Sequence, residues 1–199
     1  MTPSEYIDFE RAEKARKQKA AEEWYYPISK GNKKLKNILE EMEDFSLKPE
    51  DVPLIIRLAE NPKYDIGLFG GATPLGTHDC VHIVLGRGLL LKDEAFVLGF
   101  TMGSSKKISR WRRNLFMFIC KYFYPEGYSF GEEERFVFNL GLMAGSKCPI
   151  DVSKVDFESF LDLPVSKIRF KLGIDKELLK NCYGVENKCF KSKESQRLL

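Results

Sequence analysis

The sequence predicts an all-α fold, a single-domain helical bundle with a central metal-binding helix hairpin. Apolar residues recur at three- and four-residue spacing in successive segments, which is the periodicity of amphipathic helices. Glycine and proline clusters separate these segments. The only two histidines, His78 and His82, lie four residues apart. A chain of 199 residues, 43% of them hydrophobic, is long enough to bury one core.

We divide the chain into three parts. Residues 1–30 are expected to form a charged helical arm, with a helix over residues 4–26 whose aromatic end (24–26) docks onto the main body. Residues 31–175 form the helical core domain and contain the metal site. Residues 176–199 are basic and thinly apolar, so we expect a loosely held helix and a frayed tail there.

Within the core domain, apolar periodicity predicts seven helices, over residues 35–45, 49–61, 77–85, 92–102, 129–144, 155–161 and 163–173. Residues 64–77 are rich in glycine and predict a loop that leads into the helix with the histidines. Thr77 is the expected N-cap of that helix, because a threonine hydroxyl accepts a hydrogen bond from a free N–H group of the first turn.

The histidine pair predicts a metal site. Residues four apart on a helix lie on one face, and Asp79 lies about 100° round the helix from His78, at the edge of that face. Gly86 and Gly88 predict a turn, after which a second helix brings Glu94 back over the imidazoles; eleven residues separate Glu94 from His82. Imidazole and carboxylate groups together suit a divalent metal such as Zn or Fe(II).

Two neighbouring acids compete for the last ligand position. Glu94 lies in a first helical turn, where the positive end of the helix dipole favours the ionised carboxylate. Asp93 could ligate the metal instead, leaving Glu94 in solvent, or it could be the N-cap of the second helix.

The order His-Asp-x-x-His, eleven residues, then Glu resembles the signature of the Coq-four family of ubiquinone (coenzyme Q) biosynthesis proteins. A weaker match, Leu163 to Ile174, resembles the closing helix of that family. The resemblance implies an all-helical fold with a divalent metal held by His78, Asp79, His82 and Glu94. It also implies oxidative decarboxylation of a prenylated aromatic ring and a role in organising a biosynthetic complex at a membrane surface.

Two residues are candidates for the chemistry. Neighbouring positions on a helix diverge, so Asp79 could orient an imidazole or act as a base on bound water rather than ligate the metal. Arg87, in the turn of the hairpin, could pair with a substrate carboxylate, or it could cap the carbonyl groups at the end of the preceding helix.

The expected partner is a prenylated or other apolar small molecule, since such sites are mainly apolar with few polar groups. A basic aromatic segment precedes an apolar run at residues 115–124 and suits peripheral contact with anionic lipid headgroups. It consists of Lys106, Lys107, Arg110, Trp111, Arg112 and Arg113. The alternative is a core helix with a solvated basic end. A homodimer is one candidate oligomeric state.

Net charge and cysteine usage limit the other classes. A net charge of +3 gives no argument for nucleic acid, so we expect none to bind. No apolar run reaches the length of a bilayer span. Five cysteines without paired spacing indicate reduced thiols. We therefore expect a cytoplasmic protein, with the membrane surface as a candidate location.

Two other functions fit parts of the pattern. A non-catalytic, metal-stabilised scaffold that binds lipid needs the same ligands but no turnover. A metal-dependent hydrolase of the His-Asp type would need a third histidine, which the chain lacks, and a zinc protease would have Glu where Asp79 stands.

Overall fold

A computed structural model describes residues 3–43, 75–105 and 129–199. This part of the chain contains eight α-helices and no strand, which confirms the all-α prediction. The helices are α1 (Pro3–Glu23), α2 (Leu35–Glu43), α3 (Leu75–Leu85), α4 (Leu91–Ser104), α5 (Glu132–Lys147), α6 (Val165–Leu172), α7 (Lys176–Cys189) and α8 (Lys193–Gln196). None of these helices is long and apolar enough to cross a membrane.

Several predicted elements lie outside the described residues. They are the helix over 49–61, most of the glycine-rich loop, the basic aromatic segment and the apolar run at 115–124. Among the elements that can be compared, the hairpin helices and the helix before Gly173 are found where the pattern places them. The aromatic end of the arm also docks as predicted: Tyr25 pairs with Gly88 in an isolated β-bridge, and Tyr26 is buried.

Two local predictions were wrong. Helix α3 begins at Leu75, so Thr77 lies inside its first turn and is not its N-cap. The helix predicted over residues 155–161 is replaced by two 3₁₀ turns, at Val152–Lys154 and Glu158–Phe160. The physical reason is local, because aspartate side chains accept hydrogen bonds from backbone N–H groups two residues on, at Ser153 and Glu158. Such bonds start short turns in competition with a continuous helix.

The C-terminal segment was expected to be loosely held, and this expectation was wrong. This segment contains six buried side chains, namely Leu179, Cys182, Tyr183 and Glu186 on α7, Ser195 on α8, and Leu198 after α8. On α7 these residues recur at helical spacing and form one inward face. The segment reads as thinly apolar because buried polar groups occupy part of that face, and each of those polar groups is hydrogen-bonded.

Helices α4 and α5 pack closely along a seam of glycines. Gly99 and Gly103 on α4 face the backbone of α5, and Gly141 and Gly145 on α5 face the backbone of α4. A Cβ atom added at any of the four would lie under 3.0 Å from a backbone carbonyl oxygen of the other helix, a separation that real Cβ atoms essentially never show. Close approach of the two backbones therefore requires glycine at these positions and fixes α4, which carries Glu94.

We predict that Gly145→Ala destabilises the protein by roughly 1–3 kcal/mol, because the added methyl group forces the two backbones apart. Gly76→Ala is the matched control: Gly76 is an exposed helical residue with open space where its Cβ would lie. Alanine there should be neutral or stabilising by up to about 1 kcal/mol. Urea denaturation of both variants measures the difference in stability. Equal midpoints for the two variants would contradict the requirement for glycine where α4 and α5 pack.

Candidate metal centre

Helix α3 carries both histidines, and its C-terminal end is fully capped. Gly86 adopts a left-handed conformation with φ of 78°, and its N–H group, like that of Arg87, donates to the carbonyl of His82 at 3.0 Å. Only glycine adopts this conformation without strain. The helix therefore ends at Leu85, three residues after the second histidine, and the chain turns back toward α4.

The remaining carbonyl groups at the end of α3 bind side chains from distant segments. Arg169 on α6 is 2% exposed, and it donates to the carbonyls of Val84 at 2.8 Å and Ile83 at 3.2 Å. Tyr183 on α7 donates its hydroxyl to Leu85 at 2.5 Å. Unpaired carbonyl groups at a helix end are costly when buried, so these contacts fix the position of α3 in the bundle.

The hairpin brings His78, His82 and Glu94 to one point. Nε2 of His78 lies 3.0 Å from Oε2 of Glu94, and Nε2 of His82 lies 3.2 Å from Oε1 of Glu94. The two Nε2 atoms lie 3.0 Å apart. His82 is fully buried, whereas the side chains of His78 and Glu94 are 14% and 30% exposed. The cluster therefore opens toward the surface on one side.

The second ring nitrogen of His82 is a hydrogen-bond donor. Nδ1 lies 2.6 Å from the carbonyl oxygen of Gly88. A carbonyl oxygen only accepts, so Nδ1 is the donor in this contact. Nε2 faces His78 and Glu94, which is the arrangement of a histidine that ligates a metal through Nε2.

The separations fit a single divalent ion. Ligand atoms at 2.0–2.1 Å from one ion, with angles between square and tetrahedral, lie about 2.8–3.4 Å from each other. The three contacts in the cluster are 3.0, 3.0 and 3.2 Å. His78, His82 and Glu94 can thus hold a metal ion, as predicted from their spacing.

Protons fit the cluster less well than a metal ion does. Burial alone would raise the pKa of Glu94, but the two imidazoles outweigh burial and hold that pKa well below its usual range. With Glu94 ionised, one proton on either Nε2 leaves the other nitrogen's lone pair facing a carboxylate oxygen. Protons on both nitrogens place two N–H groups against each other. A divalent ion removes all of these repulsions at once.

Asp79 does not join the three ligands in the structure. It lies beside them, since both imidazoles and Glu94 act on its charge, and burial raises its pKa above the ordinary value. The group whose ligand atoms converge comprises only His78, His82 and Glu94 among the residues that the structure describes. Ligation by Asp79 therefore stays a prediction, and a position next to the ligands suits its alternative role as a base.

Of the two neighbouring acids, Glu94 and not Asp93 lies in the cluster with the histidines. Asp93 is fully buried and accepts a hydrogen bond from the N–H of Leu90 at 3.2 Å. It is the third residue of α4, so its carboxylate reaches back to the residue before the helix, as in half of a capping box. The N-cap is Leu90, which corrects the N-cap assignment that we considered for Asp93.

Both roles expected for the Arg87 side chain were wrong. Its guanidinium is fully buried and donates two hydrogen bonds to Glu186, at 2.5 and 3.2 Å, while Asp93 lies 3.6 Å away. The rings of Phe96 and Tyr183 lie over it, with centroids at 4.1 and 4.4 Å. The side chain therefore neither faces a substrate nor caps α3, because two carboxylates from other helices hold it in the core.

Sequence reasoning missed the residues that support the site. Glu186 and Arg197 were assigned to a frayed tail, and Arg169 was noted only within a family resemblance. Lys92 is 6% exposed and forms ion pairs with Glu133 at 2.8 Å and Glu194 at 3.2 Å. The sequence did contain a signal for these ion pairs. Basic residues occupy positions on the apolar faces of helices, and buried charged groups require partners.

Comparison with known proteins yields no matching family model, no matching curated protein and no matching solved structure. Evidence for the function therefore comes from the chemistry of the site and from the motif resemblance.

We predict that Asp79→Asn stabilises the metal-free protein at pH 7. Burial raises the pKa of Asp79 in the folded state, so folding favours the protonated acid. Stability of the wild type then falls as the pH rises above the unfolded pKa of about 3.9. Asparagine carries no such penalty, so the gain should be present at pH 7 and absent near pH 3.

Urea denaturation with a chelator present measures this difference at both pH values. Asp156→Asn is the control, because Asp156 is exposed and an amide oxygen can keep its turn contact with Glu158. A variant at Asp79 that is less stable than the wild type at pH 7 would contradict the prediction.

Proposed function

We propose that this protein is a metalloenzyme in which His78, His82 and Glu94 bind one Zn or Fe(II) ion. The convergence of two Nε2 atoms and a carboxylate within 3.2 Å of one another is the observation that carries the proposal. Support comes from the hydrogen bond that orients His82, since metal-ligating histidines almost always donate their other N–H group to a fixed acceptor.

The three ligands found among the residues that the structure describes favour a catalytic ion over a purely structural one. Structural zinc sites are closed by four protein ligands, whereas catalytic sites have three and leave a position for water or substrate. Two histidines and one carboxylate also form the facial triad of non-haem Fe(II) oxygenases. The partial exposure of His78 and Glu94 places the open side of the cluster toward the surface.

For the substrate we propose a prenylated aromatic quinone precursor, with oxidative decarboxylation at the ring carbon that carries the carboxylate. The support is the motif, in which His-Asp-x-x-His is followed after eleven residues by Glu. A bound ion would supply Lewis-acid or redox chemistry at the open positions. Asp79, next to the ligands and with a raised pKa, would take a proton from water or from a ring hydroxyl group.

A second candidate is a metal-stabilised scaffold that binds an apolar ligand without turnover. One observation favours it: the ligands come from α3 and α4, so a bound ion would tie the two hairpin helices together whether or not a reaction follows. Turnover distinguishes the two candidates.

We predict that the purified protein binds one equivalent of Zn or Fe(II), and that His82→Ala abolishes this binding. Saturating zinc at 100 times the dissociation constant should stabilise the wild type by about 2.7 kcal/mol and leave the variant unchanged. Metal analysis and thermal denaturation are the measurements. Cys189→Ser is the control, because Cys189 is an exposed free thiol outside the cluster and should not affect stoichiometry.

Metal retained in full by His82→Ala would refute the proposed ligands. The same measurement on Asp79→Asn decides its role, since a ligand is needed for binding and a base is not.

We predict that the Fe(II)-loaded protein releases CO₂ from a prenylated hydroxybenzoate in the presence of dioxygen. Glu94→Gln should lower the rate by at least about 100-fold, since even changes around the ligands of metal sites cost up to that factor. Product analysis by mass spectrometry is the measurement. Binding of the prenylated compound without any product would favour the scaffold, and neither binding nor product would refute the substrate class.

A further inference from the structure

Arg197, three residues from the end of the chain, lies against the turn of the metal hairpin. Its side chain is 9% exposed and forms an ion pair with Asp93, the residue that precedes Glu94. It also donates a hydrogen bond to the backbone carbonyl of Glu22 at 2.9 Å. One guanidinium group thus joins the start of α4 to the end of α1.

Gly88 is the point at which Arg197 reaches the metal site. A Cβ atom on Gly88 would collide with the guanidinium of Arg197 and with the carbonyl oxygen of Trp24. Tyr25 pairs with Gly88 in the β-bridge. The carbonyl of Gly88 accepts the Nδ1 proton of His82. The residue that orients His82 therefore packs against both Arg197 and the end of the N-terminal arm.

A second ion pair holds the same turn from α7. Glu186 binds Arg87, the residue before Gly88, through both carboxylate oxygens, and neither side chain is exposed to solvent. Ser195 on α8 donates its hydroxyl to Glu186 at 3.0 Å. Helix α7 thus fixes Arg87, and Arg197, the C-cap of α8, packs on Gly88.

We propose that Arg197 is a positioning residue of the metal centre: it fixes the Gly88 carbonyl and the start of α4, and thereby holds His82 and Glu94 in ligating positions. This inference depends on the proposed metal site. Two contacts carry it together, the packing of the guanidinium on Gly88 and the ion pair with Asp93, because each lies one step from a different ligand. Groups one step from the ligands typically change metal affinity by about 10–100-fold.

The test compares zinc affinity and the Co(II) absorption spectrum in Arg197→Met, Arg197→Lys and Leu179→Ala. Leu179 is the matched control, because it is a buried residue of α7 that lines a small pocket together with Phe100, Ala144 and Ile174. Its truncation should lower the denaturation midpoint and leave the zinc dissociation constant and the cobalt spectrum unchanged.

Arg197→Met should raise the zinc dissociation constant by about 10–100-fold and alter the cobalt spectrum. Arg197→Lys retains the charge without the planar fork, so its dissociation constant should lie between those of Arg197→Met and the wild type. A value equal to the wild type in both variants would overturn the positioning role, as would an equal loss of affinity in Leu179→Ala. Failure of the wild type itself to bind zinc or cobalt would overturn the proposed metal site as well.

Discussion

The α3–α4 hairpin, which carries the candidate metal centre, depends on the hydrogen bond from His82 Nδ1 to the carbonyl of Gly88. In this bond Nδ1 is the donor, and the other ring nitrogen, Nε2, faces His78 and Glu94. The bond spans only six residues, so it requires that helix α3 stop at Leu85 and that the chain reverse at once. The left-handed Gly86 permits this reversal, and the side chains of Arg169 and Tyr183 satisfy the carbonyl groups that it leaves open.

The cost of this arrangement is a core with many charges. Four charged residues are buried: Arg87, Asp93, Arg169 and Glu186. A charge without a partner in a core costs far more free energy than a lost apolar contact. Each has partners here: Arg87 has two carboxylates and two aromatic rings, and Arg169 has backbone carbonyls. Ion pairs of this kind specify geometry more than they add stability, which suits a turn that must hold one carbonyl in place.

Local signals predicted the hairpin, because a glycine stop, a histidine pair and an acid in a first turn act over few residues. Helical geometry placed His78 and His82 on one face, and the glycine turn predicted that the next helix returns over them, but the choice between Asp93 and Glu94 stayed open. Long-range pairing could not be predicted in the same way. Arg87 was expected to meet a substrate carboxylate or the carbonyl groups of α3 because its partner lies 99 residues away, and the apolar count of the C-terminal segment gave no hint that Glu186 fills a core position. Charges that pair across the fold carry no local periodicity.

Metal binding and the docking of the C-terminal segment are linked if both depend on Gly88. Coupling between two equilibria is reciprocal, so whatever factor the docked segment contributes to metal affinity, the bound ion contributes to docking. The direction of the coupling follows from the contacts of Arg197. It forms an ion pair with Asp93, which precedes Glu94 in the sequence. It also packs on Gly88, whose carbonyl accepts the hydrogen bond from His82. An ion at the cluster would therefore favour the state in which α7 and α8 are packed on the hairpin. The proposed substrate would then meet the ion on the side of the cluster where His78 and Glu94 remain partly exposed.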